Sequence, residues 1–216
     1  SNEHIRNSTS VETRNDRFVK WIREHFPIHE YDRVAPIAYD LRSIKSQKEI
    51  ELIQHACNIT EKGFRRILDK TRPGVWEYEL EAEFSHEFLR RRSRGFAYEP
   101  IIASGGSACV LHYVENNKAC KDGDLLLMDV GAEYSNYNAD MTRTIPVNGK
   151  FSTRQKNVYN AVLRVKNAAT AMLTPGNIIP DYHKAVGEVM EKELVDLGLL
   201  SIDEIKNQKK EVPAYR

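Results

Sequence analysis

The chain is poor in cysteine. Only Cys57, Cys109 and Cys120 occur, an odd number with no CxxC spacing. That excludes a disulfide framework or a zinc knuckle and points to a reducing compartment, the cytoplasm. Long apolar runs are missing as well. Nothing approaches a membrane-spanning helix, and the N-terminus lacks the basic-then-apolar plan of a signal peptide. Neither sign of charge is in excess, since 32 Lys and Arg face 31 Asp and Glu. No global field therefore draws the chain to nucleic acid or to a membrane. The cluster Arg90-Arg-Arg-Ser-Arg94 closes a predicted helix, where cations complement the carbonyl end of the dipole. Ser104-Gly-Gly-Ser107 is followed by no Walker lysine, so it reads as a flexible turn and not a phosphate loop. Cys109 has no base at a recognisable spacing, which removes a cysteine-protease reading.

At 216 residues the chain suits one domain, or one domain and part of another. Ser1-Asn2 reads as the scar of a removed tag. Residues 3 to 16 are polar without a periodic face, and a short helix is predicted from Phe18 to Phe26, with Pro27 and Pro36 as punctuation. At Ser46-Gln-Lys-Glu49 a capping box opens a long helix. Its stripe is Ile50, Ile53, Cys57, Thr60, Phe64 and Ile67, and Arg72-Pro73-Gly74 stops it. A second helix, about 77–92, aligns Leu80, Phe84 and Phe88. Strands are predicted over Tyr98–Ala103 and Val110–Val114.

The same order then restarts. Ser152-Thr-Arg-Gln155 is another capping box, heading a helix with Val158, Val162, Val165, Ala169 and Met172 on one face. Thr174-Pro175-Gly176 stops it, and Pro180 opens a fourth helix carrying Tyr182, Val186, Val189, Glu193 and Leu197 up to Gly198. The pattern is helix, Pro-Gly, helix, strands, then helix, Pro-Gly, helix. As a repeat it lacks the strands of its second half, so the sequence is expected to end before its fold does.

Between the two helix pairs lies the run Asp124 to Val147. It reads as a β-hairpin, an apolar strand, a Ser-Asn-Tyr-Asn turn and an alternating strand. Asp129 and Asp140, eleven residues apart, then fall opposite or diagonal to each other. Two close carboxylates on a buried face need a proton, a cation or a metal between them, and hard divalent ions suit them. The competing readings are a solvated strand residue for Asp129 and an ion pair with Arg143 for Asp140.

These pieces resemble the catalytic domain of the Xaa-Pro aminopeptidases, in the prolidase and methionine aminopeptidase superfamily. The resemblance is carried by Ser46-Gln-Lys-Glu-Ile, Arg72-Pro-Gly, Leu111-His-Tyr-Val-Glu-Asn116, Asp122-Gly-Asp-Leu, Asp129-Val-Gly-Ala-Glu-Tyr and Ala139-Asp-Met-Thr-Arg-Thr-Ile-Pro-Val-Asn-Gly149. It implies an α+β, pita-bread (creatinase/aminopeptidase-like) fold of two pseudo-twofold halves, the second incomplete here. Residues 1–43 would be the tail of an amino-terminal domain or linker, and 44–216 the first part of the metallopeptidase domain.

The family binds two divalent metals, usually Mn2+, through two aspartates, a histidine and two glutamates. Asp129 and Asp140 match the aspartates, Asp140 being the one that bridges both ions. The other three positions would lie beyond Val212-Pro-Ala-Tyr-Arg216, among them the glutamate that acts as general base. The chain alone is therefore expected to bind metal weakly and to be inactive. His112 matches a histidine that contacts substrate and stabilises the tetrahedral intermediate; a backbone-bonded loop histidine is the alternative. Thr142, two residues past Asp140, shares its side of the strand, as a hydrogen-bond partner of a metal carboxylate or simply as a strand-favouring residue.

The implied activity is release of an N-terminal residue from peptides with proline in second position, in the cytoplasm, by a homo-oligomer. The rivals are prolidase, which cleaves Xaa-Pro dipeptides, and a non-catalytic pita-bread module that binds peptide or protein. A sheet short of its second half predicts self-association or a complementing segment.

Overall fold

The computed structural model describes residues 12–207. Ser1-Asn2, the polar stretch up to residue 11 and the close at Val212-Pro-Ala-Tyr-Arg216 lie outside the described residues. Contacts group the chain into two units, Ser1–Ile50 and Glu51–Arg216. Among the described residues no helix is long and apolar enough to cross a membrane.

In the first unit, α1 (Arg14–His25) starts before the predicted Phe18. Its cause is local: Asp16 N–H donates to Thr13 Oγ1 at 3.3 Å and Thr13 N–H to Asp16 Oδ2 at 2.9 Å, a capping box that draws part of the polar segment into the helix. Helix α2 (Val34–Ser43) occupies a stretch that the sequence presents as punctuation. Pro36 sits in its first turn, where the missing N–H has no helical acceptor to lose.

In the second unit the buried residues of α3 (Gln47–Lys70) are Ala56, Ile59, Thr60, Gly63, Phe64 and Ile67. The predicted box is present at its start, with Ser46 N–H donating to Glu49 Oε2 at 2.6 Å. Leu80, Phe84 and Phe88 of α4 (Glu77–Arg90) are fully buried, as their spacing predicts. The two helices approach closely at Gly63, where a Cβ would stand 2.8 Å from the Phe84 and Phe88 rings. Those rings join Ile102, Leu126, Met128 and Val130 in the core.

The sheet has the order β1 (Ile101–Ser104), β2 (Leu125–Val130), β5 (Met141–Pro146), all antiparallel. On β2 the even residues Leu126, Met128 and Val130 are buried, whereas Leu125, Leu127 and Asp129 are half-buried. Alternation thus aims Asp129 away from the core. Beyond β2, the short strands β3 (Glu133–Tyr134) and β4 (Tyr137–Asn138) continue the hairpin. Its turn is shorter than the predicted four residues: Ser135 and Asn136 alone take positive φ, 52° and 68°, as a two-residue primed turn requires.

The Val110–Val114 strand is not formed. Gly105–Cys109 makes a 3-10 turn where no helix is expected, Leu111 is 91% exposed, and His112 has φ 54°, which breaks an extended run. The first strand begins at Ile101, not Tyr98.

Helices α5 (Thr153–Met172) and α6 (Ile179–Asp196) form the second pair. Ser152 and Gln155 cap α5 as predicted, and Pro180 lies in the first turn of α6. Of the predicted face Val165 is buried and Val162 is exposed, and Ala161 joins Val165 on the buried side. Arg164 clamps Glu193 by Nε to Oε1 at 2.7 Å and Nη2 to Oε2 at 2.6 Å. A short α7 (Ile202–Asn207) follows, capped by Ser201 and Glu204.

Candidate metal centre

The hairpin register fixes the two aspartates. Asp129 pairs directly with Thr142 and Val130 with Met141, so Asp140 stands diagonally across from Asp129. The crossing is tight. A Cβ on Gly131 would come within 1.8 Å of the Ala139 carbonyl oxygen, so only glycine lets the strands meet beside Asp140.

A third strand-like segment reaches the same place. Phe96 bridges Ala132, and Ala97 N–H donates to Gly131 O at 2.8 Å. Ile101 then pairs with Asp129. Five residue steps from Phe96 to Ile101 therefore match three from Ala132 to Asp129, and the surplus bulges out at Tyr98-Glu99-Pro100. Pro100 suits a bulge because it has no N–H to offer a ladder. The bulge carries the Tyr98 hydroxyl over the hairpin, 2.6 Å from Asp129 Oδ1 and 3.2 Å from Asp140 Oδ1.

One neutral hydroxyl thus faces two carboxylates. Burial, followed by the hydrogen bond to Asp129, pushes the Tyr98 phenol far above its ordinary value, so it stays a donor. Among the described residues neither aspartate has a cation beside it. The Arg143 guanidinium turns to the Thr142 carbonyl at 2.8 Å, and the ion pair considered for Asp140 is not made. Two oxygen-bearing anions without a counter-charge suit hard divalent ions. They are only part of a cage: among the described residues no three His, Cys, Asp or Glu side chains come together for a metal.

Asp129 and Asp140 line a cleft of about 530 Å³ with Tyr98, Glu99, Ile101, His112 and Val114. The structure therefore brings three of the four sequence-predicted residues, Asp129, Asp140 and His112, to one cleft. His112 makes no hydrogen bond to any described residue, which leaves its imidazole free for a ligand and sets aside the backbone-bonded alternative. Thr142 lies opposite Asp129, but its hydroxyl bonds neither aspartate.

Sequence reasoning missed Tyr98, which no local motif marks, and the residues that hold the His112 loop. Asn116, 2% exposed with φ 44°, accepts from Ile102 N–H at 2.9 Å and donates to Pro100 O at 3.0 Å and Glu81 Oε2 at 2.9 Å. One side chain ties the loop to the base of the Tyr98 bulge.

Comparison with known proteins gives a consistent picture. The profile of metallopeptidase family M24 matches residues 51–212. The Xaa-Pro aminopeptidase of Haemophilus influenzae is 44% identical over 168 residues, 78% of this chain and 39% of the relative. The mouse Xaa-Pro dipeptidase is 35% identical over 171 residues, 77% of this chain and 35% of the relative. Among solved structures, zinc-substituted Escherichia coli aminopeptidase P in complex with product superposes with a TM-score of 0.83 at 35% identity, covering 92% of this chain and 48% of that one. The chain spans less than half the length of each.

Proposed function

Because the chain belongs to metallopeptidase family M24 and has the α+β, pita-bread fold of the aminopeptidase P structures, we propose that the intact protein is a metal-dependent aminopeptidase. It hydrolyses the bond between an N-terminal residue and a following proline, releasing the free amino acid and a peptide that begins with proline. The observation that carries this reading is the pairing of Asp129 and Asp140 under one tyrosine hydroxyl, in a cleft they share with an unbonded histidine.

In the proposed site, Asp129 and Asp140 supply two of the side chains that hold a pair of divalent ions, manganese by preference. Such ions, when bound, supply a Lewis acid and an activated water. Tyr98 keeps both carboxylates oriented by donating to each of them. His112 lies on the cleft wall, where a ring N–H can donate to the oxygen that becomes negative as the scissile carbonyl turns tetrahedral. The exposed Leu111 and Val114 beside it offer apolar surface to the substrate. Thr142 supports the strand opposite Asp129. Asp129 and Asp140 are not joined by a third such side chain among the described residues, so further ligands and a general base are needed to complete the proposed site. We propose a cytoplasmic homo-oligomer that acts on peptides, without nucleic-acid or membrane partners.

Prolidase activity is the second reading, favoured by the 35% identity to the mouse dipeptidase. A length series separates the two in the full-length protein. Turnover of Xaa-Pro tripeptides and longer peptides supports the aminopeptidase; turnover of Xaa-Pro dipeptides alone supports prolidase. Binding of these peptides without cleavage would leave the docking module.

A further inference from the structure

Glu77 opens α4 and is fully buried. Among the described residues its carboxylate meets no cation. Oε1 accepts from the Ser104 N–H and the Ser104 hydroxyl, both at 2.7 Å. Oε2 accepts from the Tyr113 hydroxyl at 2.8 Å and the Lys118 N–H at 3.0 Å. The Lys118 ammonium goes elsewhere, to Ser107 Oγ at 2.7 Å. Four neutral donors from three points of one loop therefore converge on a single buried anion. A carboxylate satisfies all four because both oxygens only accept.

The loop they hold, 104–118, carries His112. Its neighbour Tyr113 is 6% exposed, whereas His112 itself reaches into the cleft of Asp129 and Asp140. The loop backbone is strained on both sides of Tyr113, with His112 at φ 54° and Asn116 at φ 44°. Non-glycine residues persist in that region when their surroundings over-determine them. Packing alone does not do so here, because Val110, Leu111 and Val114 are exposed. The buried anchors are Asn116 and the Glu77–Tyr113 bond.

We infer that Glu77 is a positioning residue of the proposed reaction. Through Tyr113 it fixes where the His112 imidazole stands relative to the aspartate pair. The inference rests on the reading above, in which His112 acts on the substrate. A misplacement of about 1 Å can cost on the order of a hundredfold in rate, so a residue that never touches substrate can still govern kcat.

The test is a double-mutant cycle in the full-length, metal-loaded protein, with Ala-Pro-Ala as substrate. Glu77→Gln keeps the shape but gives one of the two oxygen sites an amide that opposes its donors. The expected result is a loss of kcat of roughly tenfold to a hundredfold, with the loss shrinking to about twofold or less on a His112→Ala background. Tyr113→Phe, which removes the bond to Glu77 at 2.8 Å together with two long contacts to Asn117 at 3.4 and 3.5 Å, should show the same coupling and serves if Glu77→Gln does not fold. Equal losses on both backgrounds, or a lowered Tm with unchanged kcat, overturn this role alone. Absence of turnover by the unmodified protein overturns the proposed activity, and this role with it.

Discussion

The Tyr98 hydroxyl lies 2.6 Å from Asp129, donating to a carboxylate 31 residues ahead in the chain. Its second contact, 3.2 Å to Asp140, makes it the hinge of the site, because it orients both anions at once. Tyr98→Phe leaves the ring in place and removes only that donor. Affinity for Mn2+ in the full-length protein should fall about tenfold to a hundredfold, read by calorimetric titration, with the fold retained by circular dichroism. Unchanged affinity would mean that the hydroxyl does not hold the carboxylates.

Gly131 is the steric counterpart of that arrangement. A methyl group placed on its Cα would stand only 1.8 Å from the Ala139 oxygen, so Gly131→Ala must push the strands apart beside Asp140. Overpacking of this kind typically costs about 1–3 kcal/mol, and more where backbone must move, so a fall in Tm and loss of metal binding are expected together. A variant with wild-type Tm would show that the hairpin yields at no cost.

Thr60 links α3 to the same hairpin. Its hydroxyl donates to Ala56 O and accepts from Ala132 N–H, both at 2.9 Å, at a fully buried position. Thr60→Val strands the Ala132 N–H without a partner. The expected cost is about 1–3 kcal/mol in chemical denaturation; a cost near zero would mean that water or a shifted strand replaces the bond.

The second helix pair has its own pH signature. The Arg164 hydrogen bonds hold Glu193 below the usual carboxylate range. A depressed folded value stabilises above the unfolded value and is lost as pH falls through the folded one. Arg164→Met should therefore lower Tm at neutral pH and make progressively less difference as pH falls below the ordinary glutamate range. Melting curves across that range check the sign, and a difference that grows on acidification would contradict it.

Local features are legible in the sequence. The capping boxes at Ser46 and Ser152 and the stripe Leu80, Phe84, Phe88 are written in short-range spacing. The aspartate hairpin is legible for the same reason, since both strands and their turn lie within one run. What stays hidden depends on distant partners. Glu77 meets Ser104, Tyr113 and Lys118 across 27 to 41 residues, and no window contains both ends. Val110–Val114 misleads because its apolar, β-branched residues suit a strand, while the lack of a neighbouring strand cannot be seen in composition. Helix α2 is masked by Pro36, which interrupts a helix only when it falls past the first turn.

In the proposed enzyme Asp129 and Asp140 hold the metal that an Xaa-Pro aminopeptidase needs for turnover. The most direct measurement is release of the N-terminal amino acid from an Xaa-Pro tripeptide by the full-length protein and its Asp140→Ala variant, each stripped with chelator and then resupplied with Mn2+. Turnover by the wild type should vanish on chelation and return with Mn2+. Asp140→Ala should show no turnover under either condition, although it stays folded. Turnover that survives chelation, or an active Asp140→Ala protein, would overturn the metal role of the aspartate pair.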